Sequence, residues 1–204
     1  MTGKIKLNAG SGGGSVSFQA PSSTGDDRII TLPTTADGTV LTTTNPKAGN
    51  IIQVKQAVKT DFFTTTSQTY VDLTGLSTTM TLTSSGNKIL MSYNVTTGGN
   101  WWNLGPVYLV FVQDSTKIGV GTGGTDADHN PTTFANLYSD GQSNSSYNIC
   151  QQSASFLFAP SDTNSHTYKI QIRGNNTTGA SVNRWWASAN VGAISTLTLM
   201  EVAA

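Results

Sequence analysis

Near residue 47 the chain changes character, and that break bounds what it can fold into. Before it lie four short β-like runs, residues 4–7, 15–18, 28–32 and 39–42, separated by the glycines of 10–14, by Ala20-Pro21-Ser22-Ser23 and by Asp37-Gly38. Gly, Pro, Ser and Asp-Gly are turn chemistry. Each run carries only a few apolar side chains: Ile5 and Leu7, Val16 and Phe18, Ile29, Ile30 and Leu32, Val40 and Leu41. One copy of such a segment buries too little to offset backbone entropy of roughly 1–2 kcal/mol per ordered residue. It is expected to order against sister copies or on a partner surface. From Ile51 to Ala204 the strands are longer and can build a core of their own. Two domains are expected, a β-rich attachment segment over 1–47 and a head over 48–204.

Helix formers are nearly missing. Glu occurs once, at Glu201, and Thr stands where a helix would take Glu, Lys or Ala. The expectation is an all-β chain. Its formal net charge is zero, from 11 basic and 11 acidic residues in 204. Charged residues make up 11%, against roughly a quarter in ordinary soluble domains, so Thr, Ser, Asn and Gln must cover the surface. Nucleic-acid binding needs a basic stripe to neutralise phosphate, and none is present. No apolar run approaches the roughly 20 residues of a membrane span. Met1-Thr2-Gly3-Lys4 lacks the apolar core of a signal peptide, so synthesis in a cytosol without ordinary export is expected. Cys150, the single cysteine, makes no intrachain disulfide and reads as a small buried filler.

Past the break, turns recur at the spacing of a β-sandwich or jelly roll. Strands are expected at 51–59, 70–74, 79–83, 88–97, 107–113, 117–120, 148–158, 167–173, 184–191 and 195–202, with the first and last able to pair. Residues 88–97 alternate, with Ile89, Met91, Tyr93 and Val95 inward and Leu90 as an exception. Residues 107–113 are apolar on both faces, which places that strand at a sandwich centre or under a subunit interface. A long polar loop is expected over 122–146, where function often resides.

Catalytic patterns are weak. His129 and His166 sit in Asp/Asn/Ser contexts without a Gly-x-Ser-x-Gly elbow. Glycoside hydrolysis needs two facing carboxylates, and Asp126 with Asp128 fall in one turn, where Asp serves turn geometry. Asp126, Asp128 and His129 also hint at a hard-cation loop, but its closing Glu is missing, and a solvated turn is the better reading. The expectation is no enzyme, no cofactor and no metal. The tryptophan pairs Trp101-Trp102 and Trp185-Trp186 are more telling. Neighbours in a strand point to opposite faces, so each pair sends one indole inward and the other outward. An outward Trp is covered by another subunit, used for binding, or packed on an edge strand. With Arg184 and the loop residues Asp126, Asp128 and His129, these four tryptophans are the candidate receptor, glycan or trimer contacts.

Gly-Ser-Val-Ser-Phe-Gln-Ala-Pro (14–21), Ile-Thr-Leu-Pro (30–33) and Asp-Gly-Thr-Val-Leu (37–41) resemble leaders of tail-fibre and related virion proteins of marine bacteriophages, cyanobacterial phages above all. Ile-Ile-Gln-Val (51–54), Tyr-Lys-Ile-Gln-Ile (168–172) and Leu-Thr-Leu-Met-Glu (197–201) look like a trimeric jelly-roll head of the tumour-necrosis-factor-like kind. The resemblance implies a homotrimeric appendage of a virion assembled in the host cytoplasm. Its leader would dock on another tail or capsid protein through Ile5, Leu7, Val16, Phe18, Ile29, Ile30, Leu32, Val40 and Leu41. Its head would face a host glycan or protein. The chain departs from long fibres in having no repetitive shaft, which points to a short tail fibre or, as the alternative, a capsid decoration (head fibre or cement) protein.

Overall fold

A computed structural model describes residues 4–19, 25, 46–99, 107–122, 134–136, 149–174, 179–183 and 192–204. The chain divides into two compact units, Met1–Val40 and Leu41–Ala204. Every regular element among the described residues is a β-strand, as the composition predicts.

The first unit contains the hairpin of β1 (Lys4–Asn8) and β2 (Ser15–Gln19). The two strands pair antiparallel, with Ile5 opposite Phe18 and Leu7 opposite Val16. The glycine run makes the reversal, Gly12 and Gly13 both taking positive φ (84° and 70°), a region an L side chain resists. The Ala9 amide closes the turn by donating to the Gly14 carbonyl at 2.8 Å.

The second unit is an antiparallel sandwich. One sheet runs β3 (Ile51–Lys59), β13 (Ser195–Val202), β6 (Lys88–Gly99), with β10 (Ile149–Phe158) on the far edge of β6. The short β12 (Ala180–Val182) continues the line of β13 along β6 and carries β4 (Phe63–Thr65). The other sheet runs β5 (Val71–Thr81), β11 (Ser165–Arg173), β7 (Val107–Gln113), then β8 (Thr116–Ile118), with β9 (Phe134–Asn136) also on β7. Leaving aside β4, β9 and β12, the strands in chain order lie first-eighth-third-sixth and second-seventh-fourth-fifth, the order of a jelly roll. The expected pairing of first and last strands is β3 with β13.

Period-two patterning fills the space between the sheets. Ile89, Met91, Tyr93 and Val95 of β6, with Leu197 and Leu199 beside them on β13, face Leu109 and Phe111 of β7 and Tyr168, Ile170 and Ile172 of β11 in one cluster. The Tyr93 and Phe111 rings meet across it at 5.0 Å. A fully buried Leu, Ile or Phe is worth about 1.5–3 kcal/mol, so this layer is what holds the head together. β7 is buried on both faces, Val110 and Val112 included, as its sequence predicts.

Several expectations need correction. Residues 70–74 and 79–83 are not two strands but the single β5, with the break between them turned into a bulge. Opposite it, β11 advances from Lys169 to Gln171 while β5 steps from Ser77 back to Asp72. Gly75 lies there at φ 87°, where a Cβ would touch the stem of Lys59. The polar stretch 122–146 contains β9, and β4 and β12 carry too few residues to announce themselves in a periodicity. Cys150 is half-buried near the end of an edge strand rather than enclosed. The strand expected over 184–191 lies outside the described residues.

Candidate functional site

The hairpin sorts its side chains by face. Because Ile5 pairs with Phe18 and Leu7 with Val16, strand alternation puts all four on one side, with Lys6 and Ser17 on the other. The four are 66%, 49%, 55% and 65% exposed respectively. Thus four of the nine predicted attachment residues form one apolar face, while Ile29, Ile30, Leu32, Val40 and Leu41 lie outside the described residues. A two-stranded ribbon with an open apolar face is marginal in water without a second layer.

The head has its own outward surface, on the sheet β3-β13-β6-β10. Since Leu197 and Leu199 point inward, Thr196, Thr198 and Met200 point out. Register then sets Val54, Met200, Leu90 and Leu157 side by side across four strands. Val54 and Leu157 are exposed, Met200 and Leu90 half-buried. The next row is Gln56, Thr198, Ser92 and Ser155, with the Gln56 amide donating to Thr198 Oγ1 at 2.9 Å. The third is Val58, Thr196, Asn94 and Ser153. These rows hold no charged residue, and depletion of charge marks the core of protein interfaces. The sequence reading missed this surface, although Leu90 as an exception to the alternation in 88–97 was its signal.

Polar side chains are sorted as carefully. Glu201, the single glutamate, is fully buried on the inward side of β13. Its carboxylate accepts from Gln53 Nε2 (2.6 Å), the Thr83 amide (2.7 Å), Thr83 Oγ1 (2.8 Å) and Asn87 Nδ2 (2.7 Å). Burial alone would raise its pKa, but these hydrogen bonds from Asn87, Gln53 and Thr83 win and hold it below 4.5. Asn183 makes a second knot: Nδ2 donates to the Lys59 and Asp61 carbonyls at 2.9 and 3.0 Å, and Oδ1 accepts from Ser195 Oγ at 2.6 Å. It sits at φ 61°, a conformation Asn tolerates better than most residues. Asn183 therefore pins the chain immediately before Arg184.

Trp101, Trp102, Asp126, Asp128, His129, Arg184, Trp185 and Trp186 all lie outside the described residues. His166 does not. It is on β11, and its ring lies between two carboxylates, with Nδ1 2.7 Å from Asp114 Oδ2 and Nε2 3.0 Å from Asp162 Oδ1. The two aspartates occupy opposite ring nitrogens, so they cannot share one metal ion with the imidazole. Among the described residues no group of three or more His, Cys, Asp or Glu side chains is set to hold a metal. No protein-family model matches this sequence, and comparison with curated proteins finds no similar chain.

Proposed function

We propose that this chain is a structural, non-enzymatic virion protein of a tailed bacteriophage, a homotrimeric short tail fibre that attaches the particle to the host surface. The observation that carries the reading is the hairpin face of Ile5, Leu7, Val16 and Phe18, an apolar patch joined to a head that completes its core without it. Such a face needs a partner, and a neighbouring virion protein supplies one. The charge-free rows on the outer sheet of the head support self-association, because identical uncharged faces meet without like-charge repulsion. Three heads on one stalk raise effective concentration at a surface, so weak contacts add up to avidity. The tryptophan pairs are assigned to the trimer seam or to the receptor, and the 122–146 stretch to the receptor.

Sedimentation of the purified chain at micromolar concentration is expected to give a trimer. Met200→Lys with Leu157→Lys should leave the head folded by circular dichroism and reduce the species to a monomer. Particles lacking the protein should lose adsorption to the host. If they adsorb normally but become fragile capsids, the protein decorates the shell. A wild-type monomer overturns the trimer.

A further inference from the structure

Carboxylates only accept hydrogen bonds, and a neutral imidazole carries one N–H. Both nitrogens of His166 face carboxylate oxygens within hydrogen-bond distance, so the arrangement is satisfied only when the ring carries two protons. We propose that His166, Asp114 and Asp162 form a proton-operated latch that ties the β10–β11 connection to the β7–β8 turn and lets it go when the ring loses a proton. This inference does not depend on the trimer or on the virion.

The two halves of the latch are unequal, which decides what moves. Asp114 is fixed to β11 without help from the histidine: its amide donates to the Thr167 carbonyl at 2.7 Å and its Oδ1 accepts the Thr167 amide at 2.9 Å. It holds the turn at φ 52°. Asp162 is tied within its own connection, where Oδ1 accepts the Asn164 amide at 2.8 Å, and across to β11 through His166. A neutral ring therefore keeps its proton on Nδ1, against the shorter contact to Asp114. Its bare Nε2 lone pair then opposes the Asp162 carboxylate, and the connection is released.

Few other charges bear on the ring. From β11 itself, Tyr168 stands edge-on with its ring 6.3 Å away, and the Lys169 ammonium acts on Asp114. From β5, which pairs with His166 through Met80 and flanks it with Thr79 and Thr81, no ionisable group faces it. The hydrogen bond that the ring donates to Asp114, more than the one to Asp162, raises the His166 pKa above 6.5 against the opposing effect of burial. Backbone donors, Thr167 to Asp114 and Asn164 to Asp162, lead in holding both carboxyls below 3.8. The sign follows. A raised histidine contributes fully below its unfolded pKa and loses that contribution as pH rises through its folded value. The depressed carboxyls contribute above their unfolded value and lose it as pH falls through their folded values. The latch is closed between those limits.

Nuclear magnetic resonance of the full chain tests this. The His166 Cε1 proton should titrate with a midpoint above 6.5. Across that midpoint the backbone order parameters of Thr163 and Asn164 should fall from about 0.85 toward about 0.6, while those of Asp114 and Thr83 stay high. Asp162→Asn, which keeps an acceptor for the Asn164 amide, should lower the midpoint and remove the pH dependence of order at 163–164. A His166 midpoint at or below 6.5, or order at 163–164 that does not change across it, overturns the latch.

Discussion

In β1 and β2 the residues Ile5, Leu7, Val16 and Phe18 collect on one face by the same alternation that collects Ile89, Met91, Tyr93 and Val95 on one face of β6. The first set is about half exposed or more, whereas the second is at most 2% exposed. Strand chemistry is therefore equal in the two regions. What differs is the second layer. β6 lies in a sheet with β7 and β11 across from it, whereas the apolar face of the hairpin is exposed. An alternating pattern says that a face will be buried, but not by what.

The sharpest way to break the comparison is to delete the same kind of side chain in both regions. Ile172→Ala removes a fully buried core side chain from β11. It is expected to lower the unfolding free energy of the head by about 3 kcal/mol. Leu7→Ala removes a half-exposed side chain from the hairpin and should leave that transition where it was. Denaturant unfolding followed by tryptophan fluorescence reads both, and equal effects would mean that the hairpin belongs to the head's cooperative unit.

Glu201→Gln sharpens the contrast with a polar group. The amide cannot accept from all four donors, and its own N–H₂ points at one of them, so a loss of about 2 kcal/mol is expected. The carboxyl is held low in the folded state, so its contribution is present above pH 4.5 and disappears as pH falls through the folded value. The variant should flatten that part of the stability profile. Unfolding curves taken down the acid range decide the point, and a variant that keeps the wild-type slope removes Glu201 from the account.

The smallest effect belongs to the exposed ion pair. Asp72 accepts from Lys169 Nζ and Gln171 Nε2 at 2.7 Å each, on the outer face of the sheet opposite the one that carries the charge-free rows. Being solvent-exposed, the pair is screened, and Asp72→Ala should cost about 0.5 kcal/mol at low salt and less at high salt. A loss as large as that of Ile172→Ala would mean that this face is covered.

Much of the fold is legible where one periodicity runs long enough. Residues 195–202, 107–113 and the inward set of 88–97 need only alternation and β-branched or aromatic content. Three-residue strands such as β4 and β12 have no period to detect, and they exist because β6 offers an edge to β12 and β12 offers one to β4. The sequence reading ends one strand at 74 and starts the next at 79, because a turn and a bulge both admit the positive φ of Gly75; only pairing with β11 decides between them. The candidate site divides the same way. The hairpin face follows from the pairing of two visible runs, whereas the outer rows of the head take one residue each from β3, β13, β6 and β10, strands far apart in the chain.

By itself the amino-acid order determined an all-β chain in two parts, because side-chain shape and spacing act locally and need no knowledge of neighbours. Which strands adjoin, which apolar faces close and where Glu201 and His166 find their partners was decided in three dimensions. Hydrogen-bond registers and burial join residues that the sequence keeps more than a hundred positions apart, as with Gln53 and Glu201, and no local pattern encodes such a meeting.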